Sequence, residues 1–139
     1  MSMGYGGFAY KIAEDADAVL YEYGGYNWSF PEYSNSERLR DGSFTISKDC
    51  FIEPEIHQKL KRMPSGRKRL VTKRIPRDVD IDEAISKGKI RIENCSNAWY
   101  TFPSADSSEV DMTAVRLIGI ILLQYQETGT IPEKTFFDC

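Results

Sequence analysis

The segment from Ser108 to Gly129 constrains this chain most. Its apolar positions Val110, Ala114, Leu117, Ile118, Ile121 and Tyr125 recur at the spacing of one helical face. Ser108 can cap that helix, with Asp111 three residues later, while Gly129 ends it and Pro132 forbids continuation. Ile120, Leu122 and Leu123 widen the apolar stripe. The helix is therefore expected to be buried on most sides, packed against a sheet.

The sheet is expected to come from the residues upstream. Tyr5–Ile12 and Ala18–Tyr23 are rich in aromatic and branched residues and flank the polar run Glu14-Asp15-Ala16-Asp17, so they read as a hairpin. Gly24-Gly25 is expected to break the second strand, and residues 26–42 to form an irregular surface loop. Ser43–Ser47 alternates as a third strand. Glu53–Met63 reads as a short helix stopped by Pro64-Ser65-Gly66, and Arg69–Ile75 as a strand closed by Pro76. Asp80 with Glu83 forms a capping-box pattern ahead of a two-turn helix over Ile81–Lys87, which Gly88 ends. Lys89–Glu93 alternates, and Ala98–Phe102 is expected to be its neighbouring strand. This order of elements predicts one α+β domain over residues 1–139, with a mostly antiparallel sheet and a long buried C-terminal helix.

At 139 residues the chain can enclose one full hydrophobic core. Its longest strongly apolar run, Leu117–Leu123, is far shorter than the roughly 20 residues of a membrane span. No charged and apolar leader pattern is evident in MSMGYGGFAYKI. Cys50, Cys95 and Cys139 are odd in number and widely spaced, which fits reduced thiols better than a disulfide framework. Together these features point to a cytoplasmic protein without a membrane partner.

Charge is strongly segregated. Nine of the 18 basic residues fall between Lys59 and Arg77, a stretch that contains no acid, while the chain as a whole carries a net charge of −3. Such a belt either meets an anionic partner or pairs internally with the acidic flanks. Arg67, Lys68, Arg69, Lys73 and Arg74 are its candidate contact residues. The belt has no aromatic residue for stacking bases, and the chain is acidic overall. Direct nucleic-acid binding is accordingly disfavoured.

No catalytic signature is visible. His57 is the only histidine, which excludes multi-histidine metal sites and leaves a single candidate base. It is expected on an exposed helix, without an orienting partner. The glycine-rich MGYGGFAY lacks the lysine and following helix of a phosphate loop. Asp78, Asp80, Asp82 and Glu83 resemble part of a calcium loop, but no glycine stands sixth and no glutamate twelfth, so helix capping explains them better. No metal, cofactor or catalytic residue is expected. An enzyme using Cys50 or His57 is the weakest of the rival readings.

The region YEYGGYNWSFPEY interleaves aromatics with acids. Aromatics beside the glycine pair and Pro31 are expected to be exposed, where they would anchor a protein partner. Glu14, Asp15, Asp17, Glu22, Tyr26, Trp28, Glu32 and Tyr33 are the candidate contact residues. The competing reading has Trp28 plug one end of the core.

Taken together, GYGGFAYKI and VLYEYGGYN near the start, FIEPEIHQKLKRMPSGRKRLV in the middle and YQETGTIPEK at the end resemble small bacterial immunity proteins of polymorphic and contact-dependent growth inhibition toxin systems. The resemblance extends over nearly the whole chain. It implies a non-enzymatic, single-domain cytosolic toxin inhibitor. Such a protein binds one cognate toxin C-terminal domain, frequently a nuclease, and neutralises it by occlusion through protein–protein interaction. The basic belt departs from that pattern. The alternative function is a nucleic-acid-binding or regulatory module that uses residues 59–77.

Overall fold

The computed structural model describes residues 4–104 and 108–139. Among these residues nine strands and two α-helices follow in the order β1 (Tyr5–Glu14), β2 (Ala18–Asn27), β3 (Gly42–Ser47), β4 (Glu55–Arg62), β5 (Lys68–Ile75), α1 (Ile81–Ser86), β6 (Ile90–Glu93), β7 (Thr101–Pro103), β8 (Glu109–Asp111), α2 (Met112–Thr128) and β9 (Lys134–Asp138). The main sheet is five-stranded and antiparallel, in the order β6-β3-β2-β1-β9. The expected α+β class, antiparallel sheet and C-terminal helix are all present.

Strand alternation explains the core. Ala9, Val19, Tyr21, Tyr23, Phe44, Ile46 and Ile90 share one face of the sheet by their register and are all buried. Against them α2 places Ala114, Leu117, Ile118, Ile121 and Leu122. Burying this layer stabilises the domain by about 25 cal/mol per Å² of apolar surface removed from water. Leu123 stays exposed, so the helix is buried along one broad face rather than on most sides.

Several expectations fail for identifiable reasons. Gly24-Gly25 does not break β2, which runs on to Asn27. A side chain at Gly24 would collide with the Leu39 carbonyl, and one at Gly25 would press on Thr113. The pair therefore lets a loop and a helix approach the sheet rather than ending a strand. The glycine-rich stretch begins at Met3, outside the described residues, and from Tyr5 onward it is β1.

Residues 55–62 are a strand, not a helix. Ile56, Leu60 and Met63 fit helical spacing, but the neighbouring strand across the Pro64–Gly66 turn offers eight cross-strand pairs, and pairing overrides the local period. Residues 98–102 do not neighbour 90–93. Instead β6 pairs with β3, and β7 pairs with β8 in a small hairpin ahead of α2. Asp111, not Ser108, caps α2, its carboxylate accepting the Thr113 N–H at 3.0 Å, and Val110 belongs to β8. Asp80 does cap α1 through the Glu83 N–H, but the Glu83 carboxylate turns to Lys87.

Candidate functional site

The residues expected to form one partner surface are divided by the fold. Glu14, Asp15 and Asp17 occupy the β1–β2 turn, while Trp28, Glu32 and Tyr33 lie beyond the other end of β2. Ten strand residues, about 33 Å, separate the two groups. The acids are also engaged locally. Glu14 accepts from Lys48 and Lys11, each at 2.9 Å, and these partners hold its carboxyl below the usual range. The Asp15 carboxylate takes the N–H groups of Asp17 and Ala18, which lower its pKa in the same way. Glu22 sits on the outer sheet face and pairs with Arg40 at 3.1 Å.

Tyr26 is a buried strand residue, contrary to the expectation that it is exposed. It serves as a base for Trp28, whose ring stacks on it at 5.2 Å while remaining 66% exposed. Trp28 therefore does not plug the core. Its backbone N–H donates to the Gly4 carbonyl at 2.8 Å, which fixes the chain at the end of the sheet. Phe30 follows, also exposed, and meets Tyr33 edge-on at 6.4 Å. Glu32 is exposed in the short helical turn Pro31–Tyr33.

What completes this surface has no local signal in the sequence. Phe30 contacts Trp99 at 6.4 Å, and Trp99 in turn meets Tyr5 at 5.1 Å and Tyr100 at 5.8 Å. Tyr100 is 52% exposed, and Met112 opens beside it at the start of α2. The Met112 N–H donates to the Tyr100 carbonyl at 3.0 Å, so helix and loop are joined there. Trp99 Nε1 is shielded from solvent and has no acceptor among the described residues. The result is a set of linked aromatic rings, Tyr5, Phe30, Tyr33, Trp99 and Tyr100, drawn from three separate stretches of sequence, while Trp28 stacks on Tyr26, which faces the outer side of the sheet with Phe8 and Tyr10. Scattered exposed apolar residues are ordinary, but a contiguous aromatic patch is not.

The basic belt lies elsewhere. β4 and β5 form a ribbon of their own, whose residues are exposed on both faces apart from the half-buried Ile75. Lys68, Arg69, Lys73 and Arg74 are on β5, and Arg67 is in the turn. Among the described residues none of the belt's lysines or arginines forms a salt bridge, so pairing with the acidic flanks does not account for the belt. His57 is on this ribbon, exposed, and it does have a partner: its Nε2 lies 2.8 Å from Glu55 Oε1.

Two further places hold chemistry-bearing groups. On the outer sheet face a cleft of about 610 Å³ is lined by Phe8, Tyr10, Arg38, Arg40, Lys134 and Phe136, among others. Arg38 and Arg40 lie over the rings of Phe8 and Tyr10. In the interior, Asp111 is fully buried. Its carboxylate accepts from Tyr23 Oη at 2.8 Å and from the Cys95 thiol at 3.6 Å. Burial pushes the Cys95 thiol up to about 11, with the Asp111 carboxylate adding to the shift. Burial raises the Cys50 thiol as well. Both thiols are thus moved away from the thiolate form that a nucleophile requires. Among the described residues, no three His, Cys, Asp or Glu side chains gather as a metal site, and no helix is long and apolar enough to cross a membrane.

No family model matches the chain, and neither does any curated protein or solved structure.

Proposed function

We propose that this chain is a non-enzymatic, cytosolic binding protein that neutralises a bacterial toxin C-terminal domain by covering it, with the aromatic patch as its anchor. The observation that carries this reading is the patch itself: Phe30, Tyr100 and Met112 exposed around the half-buried rings of Tyr5 and Trp99. Tyrosine and tryptophan bury large areas at low cost in side-chain entropy, and they dominate the energetics of protein interfaces. The patch is already stacked and hydrogen-bonded to the frame, so little ordering remains to oppose binding. The raised pKa values of the buried thiols are in keeping with a non-catalytic role.

The test is growth protection and affinity against the toxin domain encoded beside this gene. The wild-type chain should restore growth and bind in the nanomolar range. Phe30→Ala with Tyr100→Ala should weaken binding by more than 100-fold while the fold is retained, as expected for two central anchors. Failure of the wild-type chain to protect, or full protection by the double variant, would overturn the proposal.

A further inference from the structure

We propose a second, separate function: the β4–β5 ribbon is an arm that enters the groove of duplex DNA. The arm is built rather than incidental. Each strand is eight residues long, so the ribbon extends about 27 Å before its turn. Both of its feet are pinned to the C-terminal end of α2. Gln126, buried in that helix, accepts the Arg77 N–H and donates to the Arg77 carbonyl, each at 2.7 Å. On the other foot, Tyr125 Oη donates to Glu53 at 3.2 Å, and Phe51 packs edge-on against the Tyr125 ring. An isolated two-stranded ribbon is marginal in water. Here one is held at its base and left bare along its length.

The register sorts its side chains. One face carries Lys59, Lys61, Arg69 and Lys73 with His57 and Val71. The other presents Gln58 opposite Thr72 and Leu60 opposite Leu70, with Ile56 and Arg74 at the foot and Arg62 and Lys68 near the tip. Lys61 directly opposes Arg69, and Arg62 opposes Lys68. Like charges so placed repel. Among the described residues no salt bridge relieves these pairs, so a bound anion would offset their repulsion.

Four features select duplex DNA as that anion. Cations lie on both faces and at the tip, and a groove presents phosphates on both walls, whereas a protein surface meets one face. The major groove of B-form DNA, about 12 Å wide, admits a two-stranded ribbon. The major groove of A-form RNA is too narrow to be read by side chains. The arm carries no aromatic residue on which the bases of a single strand could stack. The polar–apolar face fits the groove floor: Gln58 and Thr72 can bond base edges, and Leu60 and Leu70 can meet thymine methyl groups. The lysines and arginines of the other face reach the phosphates. The overall acidity of the chain bears less on this contact than its sequence implies, because the arm projects from the acidic body over several screening lengths of about 8 Å.

The experiment is fluorescence anisotropy of a labelled 24-base-pair duplex DNA titrated with the full chain at about 50 to 200 mM salt. Saturable binding is expected at the low end, with affinity falling at least 100-fold across that range as counterions are released. Lys59→Gln, Lys61→Gln, Arg69→Gln and Lys73→Gln together lie on an exposed ribbon and should leave the fold intact. They should lower the log–log salt slope by about 3 to 4, near 0.9 per lost phosphate contact. Phe30→Ala with Tyr100→Ala should bind DNA as the wild type does, so the arm and the patch can fail independently. The proposal is overturned by absence of saturable binding at 50 mM salt, by a single strand that binds as tightly as the duplex, by an unchanged slope in the quadruple variant, or by loss of binding in the patch variant. It is equally overturned if poly-glutamate at matched charge displaces the DNA completely, which would assign the arm to an acidic protein.

Discussion

Asp111 joins the helix cap to the core, and its setting ties stability to pH. The carboxyl is fully buried, with hydrogen bonds from Tyr23, Cys95 and the Thr113 N–H but no cation among the described residues. Burial raises its pKa above the usual carboxylate value, and the hydrogen bonds to the charged form offset only part of that shift. The stability conferred by a raised carboxyl is complete below its unfolded pKa, about 3.9, and is lost as pH rises through the folded value. Asp111 should therefore contribute a fall in unfolding free energy as pH rises above about 4. Urea melts of Asp111→Asn should show that component missing, along with an offset from the disturbed bond to Tyr23. A pH dependence identical to wild type would place the titration elsewhere. His57 invites the opposite expectation. Its partner Glu55 is exposed and the pair lies on the bare ribbon, so His57→Ala should leave toxin neutralisation within about threefold. Complete loss of protection by a folded His57→Ala variant would restore the histidine to the functional machinery.

At the scale of elements, α2 should carry the fold and the ribbon should not. Leu117 and Ile121 are fully buried against the sheet, so truncating either to alanine should cost about 2–5 kcal/mol. Leu60→Ala or Leu70→Ala, on side chains 61% and 55% exposed, should cost well under that. Equilibrium denaturation separates the two cases, and equal costs would show that the ribbon packs on the domain in solution. The same contrast explains what could be read from the chain. A long helix with a single apolar stripe declares itself, as do the β1–β2 hairpin and the Asp80 cap, because their signals are local. Residues 55–62 misled because Ile56, Leu60 and Met63 satisfy a helical period while their true partner is a strand that comes later. The aromatic patch was half legible. Tyr33 stands out in the sequence, but nothing local links Phe30 to Trp99 some 70 residues on. Tyr26 was misplaced because a glycine pair usually ends a strand, whereas this one admits Leu39 and Thr113 to a strand that continues.

For the molecule as a whole, the two proposed contact regions sit at opposite ends of α2. The aromatic patch adjoins Met112 at its start, and the ribbon's feet adjoin Tyr125 and Gln126 near its end, about 20 Å further along the helix. That separation makes the ribbon removable. Ile56 and Arg74 are direct cross-strand partners, so residues 57–73 can be replaced by Asn-Gly, a two-residue turn suited to a tight hairpin. No core residue is lost, since the core is drawn from the five-stranded sheet, α1, α2 and the loops beside them. The shortened chain should unfold cooperatively, with a midpoint within a few degrees of wild type at about 0.15 M salt. The excised stretch holds seven bases and no acid, so net charge moves from −3 to −10. Self-repulsion should therefore lower the midpoint further in dilute buffer, where screening is weak. DNA binding should vanish while the proposed toxin neutralisation through Phe30 and Tyr100 persists. Loss of cooperative unfolding at moderate salt would show that the ribbon belongs to the folding unit. Loss of neutralisation in a stably folded, shortened chain would instead place the ribbon within the toxin interface.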